Sequence, residues 1–230
     1  MELKLLRNLR LSYRGRGWMN ENLTTKEELL SKLRAYANTP DDDNIKYKNI
    51  IKNALLNCPE LLYSLHDEEL ESELFDDNGN LYMDEETGEL LGDVDRYFGD
   101  NSYIRPDLFI PDTQTTVNNY VCYQVMFDEL PRYGKFQKYT EITFTIFVNG
   151  MDRTDELTGI PRHDLIASII RERFNWSNIF GMQTHLISSK ESVTDNNYLV
   201  RTLVFQVVDT NGIYKTTDNK TTVNNYQLRR

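Results

Sequence analysis

YTEITFTIFVNG, residues 139–150, places Ile142, Phe144, Ile146 and Val148 at every second position. Period-two alternation of this kind belongs to a strand with one face on a core. The preceding run NYVCYQVMF (119–127) reads as a second strand, and the connector DELPRYGKF holds Pro131 and Gly134, which suits a hairpin of moderate length. Downstream, PRHDLIASIIRERFNW (161–176) switches to helical spacing, with Leu165, Ile166, Ile169, Ile170 and Phe174 as its apolar stripe. Pro161 suits the first turn and Asp164 complements the positive helix end, while Arg162, Arg171 and Arg173 are read on or near the polar side. GMQTHLISSKES (181–192) and NNYLVRTLVFQVVD (196–209) then give two more strands joined by TDNN. The order strand, strand, helix, strand, strand predicts an α+β fold, a mainly antiparallel four-stranded sheet with one packed helix, over residues 113–210.

Ahead of this core the texture differs. KEELLSKLRAYAN (26–38) spaces Leu29, Leu30, Leu33 and Tyr36 as a helix behind Thr24 and Thr25, either of which can cap it. A second helix is predicted over residues 44–57, stopped by Pro59. Residues 1–59 therefore read as a basic arm followed by an antiparallel helix pair. Residues 60–112 hold 17 acidic residues against Arg96 and Arg105, a net of −15, so the rest of the chain carries +5 of the overall −10. DDNG (76–79) and ETG (86–88) are turn signals around Leu81 to Met83, and the whole stretch is read as an extended acidic excursion with a hairpin at its tip. Residues 211–230 form a C-terminal extended tail.

Hydrophobic residues at 39% place the chain among globular proteins rather than disordered ones. Cys58 and Cys122 stand far apart without a CxxC, which favours two reduced buried thiols over a disulfide. The first 18 residues are basic and their apolar positions are interrupted, so they read as neither secretory signal nor membrane span, and the protein is expected to stay in the cytoplasm.

No chemical motif completes itself. Aligned on Asp76, Asn78 and Asn80, the acidic loop has Leu81 where a calcium-binding EF-hand needs Gly and Thr87 where it needs Glu. The pairs Pro106-Asp107 and Pro111-Asp112 suggest a metal-dependent nuclease, but the tripeptide that would supply its lysine is Glu141-Ile142-Thr143. His66, His163 and His185 fall in three separate elements, so metal or triad roles require folding to gather them. The expectation is no catalytic residue, no metal and no cofactor. SYRGRGW offers Arg14 and Arg16 for phosphates and Tyr13 or Trp18 for stacking, and the same basic arm, with Arg7 and Arg10, suits docking on an acidic neighbouring subunit equally.

The string TTVNNY occurs twice, at 115–120 and 221–226. With each residue type at a few per cent, chance repetition has a probability of roughly one in a thousand. The flanks do not match, which excludes duplication of a structural unit. Both copies adjoin β structure and are read as edge segments, with Thr115, Val117 and Tyr120 in the first copy and Thr221, Val223 and Tyr226 in the second as partner-binding residues. The second copy is expected to dock by strand addition on a neighbouring subunit or the next ring.

The layout of residues 115–210, with the N-terminal helices, resembles the tail-terminator and tail-completion proteins of tailed bacteriophages. The resemblance implies a non-enzymatic, homo-oligomeric ring at the head-to-tail neck of a virion assembled in the host cytoplasm. Portal, adaptor or tail-tube proteins would be its partners, and DNA would pass through without sequence-specific binding or any membrane. The competing class is a metal-dependent phage nuclease or other nucleic-acid enzyme.

Overall fold

The computed structural model describes residues 25–36, 43–99, 102–109, 117–127, 137–194, 197–210, 213–215 and 221–223. Two compact units divide the chain, residues 1–39 and 40–230. In the first, helix α1 (Lys26–Tyr36) starts at a reciprocal cap: Glu28 N donates to Thr25 Oγ1 and Thr25 N to Glu28 Oε2, each at 3.1 Å. Of the two threonines offered by the sequence, Thr25 is the one that caps. Leu29, Leu30 and Leu33 of the predicted stripe are exposed.

The second unit is built on a sheet. Its strands are β1 (Ile104–Arg105), β2 (Tyr120–Phe127), β3 (Gln137–Asn149), β4 (Thr184–Val193) and β5 (Tyr198–Thr210), in the order β1-β2-β3-β5-β4. The predicted α+β fold is present. β2, β3, β5 and β4 pair antiparallel, with Phe144 opposite Tyr123 on one side and Leu203 on the other. The fifth strand, β1, adds parallel to β2 through Ile104↔Val121 and Arg105↔Cys122, which makes the sheet mixed. A separate ribbon pairs β6 (Ile213–Lys215) with β7 (Thr221–Val223).

Ile142, Phe144, Ile146 and Val148 are all buried on one sheet face, as their alternation requires. Helix α5 (Arg162–Phe174) covers that face with Ile166, Ala167, Ile170 and Phe174. The Phe144 ring lies 4.9 Å from Phe174 and 5.7 Å from Phe205, the latter edge-on at 88°. The opposite face buries Tyr120, Cys122, Phe147, Tyr198 and Val200. Arg105 closes it by lying 3.7 Å from the centre of the Phe109 ring and 5.0 Å from that of Tyr120. Both cysteines are free and buried, and burial pushes each thiol up to about 11.

The acidic stretch departs most from its reading. Helix α2 (Asp43–Leu56) ends where expected, but Pro59 starts a helix rather than stopping one, occupying the first turn of α3 (Pro59–Ser64). Helix α4 (Glu68–Glu71) follows, capped by Asp67, whose Oδ1 accepts from Leu70 N at 2.8 Å. Bridges Phe75↔Leu81 and Met83↔Leu90 then form the hairpin, and a 3-10 turn (Val94–Tyr97) leads to β1.

The described residues of the stretch are thus folded, not extended. Leu61, Leu62, Leu65, Leu70, Leu74, Leu90, Tyr97 and Ile104 enter the same core as the sheet. The charge argument for extension fails on magnitudes. Two exposed like charges 4 Å apart repel by about 1 kcal/mol in water, while each fully buried leucine contributes about 1.5–3 kcal/mol. Glu68, Glu69, Asp77, Glu85, Glu86 and Glu89 stay exposed, and Arg96 pairs with Glu73 at 3.0 Å and Glu69 at 3.1 Å.

Candidate functional site

The loop from β3 to α5, residues 150–161, is held from beneath and exposes three apolar side chains among Arg153, Thr154, Glu156 and Thr158. Its base begins with Asn119, in the first TTVNNY copy, which is buried. Asn119 Oδ1 accepts from Asn149 N at 3.1 Å, while its Nδ2 donates to Leu65 O at 3.0 Å and Asp152 Oδ2 at 2.7 Å. The asparagine is placed one residue before β2 and so ties that strand to both the end of β3 and the turn after α3.

Arg162 completes the base. It is 3% exposed, correcting its reading as a polar-side residue. Its Nη2 lies 3.0 Å from Asp152 Oδ1, its Nε donates to Asp152 O at 3.3 Å, and its Nη1 donates to Ser64 O at 3.2 Å and meets Asp155 Oδ1 at 3.5 Å. Burying a guanidinium is costly unless it is paired and hydrogen-bonded, and here each of its nitrogens finds oxygen. Asp155 also accepts from the Thr158 hydroxyl at 2.7 Å and Thr158 N at 2.9 Å, and chiefly the hydroxyl bond holds its carboxyl below the usual range. Gly159, at φ +67°, turns the chain so that its N–H reaches Asp155 O at 2.8 Å. His66, itself left-handed at φ +57°, places Nδ1 3.2 Å from Asp152 Oδ2 and is the solvent-facing member of the group.

Above this base the loop presents Met151, 88% exposed, with Leu157 at 77% and Ile160 at 43%. Arg162 has no open side from which to act on a substrate. The arrangement fixes a loop and displays apolar side chains on it, which suits contact with another protein surface.

The histidines are not gathered. His66 meets Asp152; His163 is buried with Nε2 3.4 Å from Glu191 and 3.8 Å from Asp164; His185 stands edge-on to Trp176. Beside His163, a cleft of about 270 Å³ is lined by Asp164, Ser168, Arg171, Ser189 and Arg201, a mixture of both charges. Among the described residues no group of three or more His, Cys, Asp or Glu is arranged to hold a metal ion, and no helix is long and apolar enough to cross a membrane. Asp76 and Asp84 serve their own turns: Asp76 Oδ1 accepts from Asn78 N and Asn80 N, and Asp84 Oδ1 from Glu86 N and Thr87 N. These bonds hold both carboxyls below the usual range.

Of the residues read as partner-binding, Arg7, Arg10, Arg14, Arg16, Thr115 and Tyr226 lie outside the described residues, as does Asp112 of the second Pro-Asp pair. Val117 is 45% exposed. Tyr120 is a correction. It is 2% exposed in the second core, beside Phe109 and Tyr198, because β2 has β1 on one side and β3 on the other and is not an edge at that point. Thr221 and Val223 belong to β7, which pairs within the chain with β6.

Sequence reasoning missed the Asn119–Asp152–Asp155–Arg162 group. One signal was present: Arg162 is four residues before Ile166 and eight before Ile170, and so continues the buried stripe of α5. An arginine on a buried stripe needs carboxylates, and Asp152, Asp155 and Glu156 lie within ten residues upstream.

No curated protein matches the chain. A family model does, over residues 58–207, 150 of the 230 residues. The matched span starts at the residue preceding α3 and ends in β5, and so includes the folded acidic stretch, the sheet and the loop with its polar base. The chain belongs to the YomW family, a phage-derived protein family.

Proposed function

We propose that this protein is a non-catalytic structural subunit of a phage particle, a homo-oligomeric ring at the head-to-tail neck surrounding the DNA channel. The observation that carries the reading is the acidic surface between α3 and β1. Its carboxylates are exposed on a scaffold whose leucines are locked into the core, so the charge is presented by a fixed wall. A wall of that sign repels phosphates and lets DNA slide, where a basic wall would grip it. Membership of a phage-derived family supports the setting, and the buttressed apolar loop at 150–161 supplies a contact for a portal, adaptor or tail-tube protein.

The purified protein, viewed by negative-stain electron microscopy, is expected to form closed rings with a central opening. It is expected to leave plasmid DNA intact with Mg²⁺ or Mn²⁺ at micromolar concentration. Cleavage abolished by Asp107→Ala would replace this reading with the nuclease.

A further inference from the structure

An asparagine followed by glycine is prone to spontaneous loss of ammonia, because the glycine N can close on the asparagine Cγ with no side chain in the way. The chain holds three such pairs, Asn78-Gly79, Asn149-Gly150 and Asn211-Gly212, the last outside the described residues. Closure needs the glycine N and the carboxamide released from other bonds and the backbone free to turn. The two described pairs differ sharply in this respect.

Asn149-Gly150 is locked. Asn149 ends β3 and pairs with Tyr198 of β5. Its N donates to Asn119 Oδ1 at 3.1 Å, and its Oδ1 accepts from Met151 N at 3.0 Å. Gly150 N donates to Asn197 O at 2.9 Å, and a Cβ on Gly150 would stand 2.7 Å from that oxygen. Closure there requires β3 to part from β5 at this end of the sheet.

Asn78-Gly79 is open. Both residues are exposed at the tip of the hairpin bridged by Phe75 and Leu81, and a Cβ on Gly79 meets nothing within 4 Å. Gly79 N donates to Asp76 O at 2.9 Å, while Asn78 Nδ2 reaches Asp76 Oδ2 only at 3.5 Å. Asp76 holds the turn, its Oδ1 accepting from Asn78 N at 2.9 Å and Asn80 N at 2.8 Å. None of residues 77–80 is buried, so the tip opens without disturbing the core.

We propose that Asn78 is a site of spontaneous deamidation through a succinimide formed with Gly79, and that Asp76 slows it by holding the turn shut. Gly79 N loses its proton to solvent and bonds to Asn78 Cγ; the Cγ–Nδ2 bond breaks, and the nitrogen leaves as ammonia with a proton from solvent. Water then adds to either carbonyl of the ring and opens it, giving aspartate or isoaspartate at position 78 with no change of oxidation state. Either product sets a new carboxylate beside Asp76 and Asp77 on the acidic surface. Isoaspartate also lengthens the backbone within the turn that Asp76 holds. The proposal is independent of the neck reading.

The test incubates the full chain for weeks at mildly alkaline pH and physiological temperature, then maps it with a Glu-specific protease and mass spectrometry. The protease separates the three pairs, releasing residues 74–85 with Asn78, residues 142–156 with Asn149 and residues 192–230 with Asn211. In the folded chain Asn78 is expected to convert at least about tenfold faster than Asn149, and in urea the two at similar rates, since only the fold distinguishes them. Asp76→Ala, with circular dichroism as the check on folding, should speed conversion at Asn78. Asn78→Gln, whose longer side chain closes a larger and slower ring, should abolish it. A residue 78 left intact in the folded chain over a time in which urea converts it, or Asn149 converting as fast as Asn78 in the folded chain, overturns the proposal. Conversion unchanged by Asp76→Ala overturns the part given to Asp76.

Discussion

At the scale of single residues, Arg162 organises the molecule's most heavily bonded polar group. It holds Asp152, Asp155 and the Ser64 carbonyl while almost wholly buried. Arg162→Ala leaves two largely buried carboxylates without their cation and should destabilise the protein by about 3–5 kcal/mol, read from urea melts. Asp155 makes the group sensitive to acid. Its folded pKa is depressed, so its contribution is fully present above the unfolded value of about 3.9 and is lost as pH falls through the lower folded value. Thr158→Val, which removes the hydroxyl bond to that carboxylate, should cost about 1 kcal/mol at pH 7 and progressively less below about pH 4. Melts at pH 7 and pH 3 check this, and an equal cost at both would assign the bond no role in the depression. The apolar alternation that defines β3 was plain in the sequence because one strand carries its whole signal. The Arg162 group was not, because Asn119 and Ser64 are brought to it from two distant segments, and only the position of Arg162 on the α5 stripe and the carboxylates just upstream hint at it.

At the scale of elements, the sheet and its helix were legible throughout: β2, β3, α5, β4 and β5 each lie within a few residues of their predicted bounds. Periodicity suffices where a strand or helix has one buried face. It failed over residues 60–112, where short helices, three isolated bridges and a 3-10 turn bury leucines with no sustained period. Charge then dominated the reading, although exposed charges weigh less than the buried leucines between them. Gly92 tests how tightly this stretch is held. A Cβ built there would stand 2.0 Å from Glu73 O, a backbone atom that cannot swing away. Gly92→Ala should therefore force the hairpin off α4 and cost more than about 3 kcal/mol, well beyond an ordinary Gly→Ala effect of about 1 kcal/mol. A Glu-specific protease should cut after Glu85, Glu86 and Glu89 slowly in the wild type and rapidly in the variant. Rapid cutting in both would return the stretch to an extended excursion.

At the scale of the whole molecule, two units, one mixed sheet and a fixed acidic surface support a part built for assembly. The repeated TTVNNY has two different uses: its first copy contributes Asn119 and Tyr120 to the interior, and its second contributes β7 to a short ribbon. Deleting residues 221–230 should leave the melting of residues 40–210 within about 1 kcal/mol of wild type, since a three-residue pairing adds little, while the ring reading expects assembly to weaken. Normal assembly of the truncated protein would remove the tail from the contact. The central claim, that this is a ring-forming structural subunit, meets its most direct test in the native mass of the full-length protein at physiological salt. The account predicts a discrete species several times the 27.1 kDa of one chain. A single species of 27.1 kDa persisting to about 100 μM, a concentration at which specific interfaces of standard size are occupied, would contradict it.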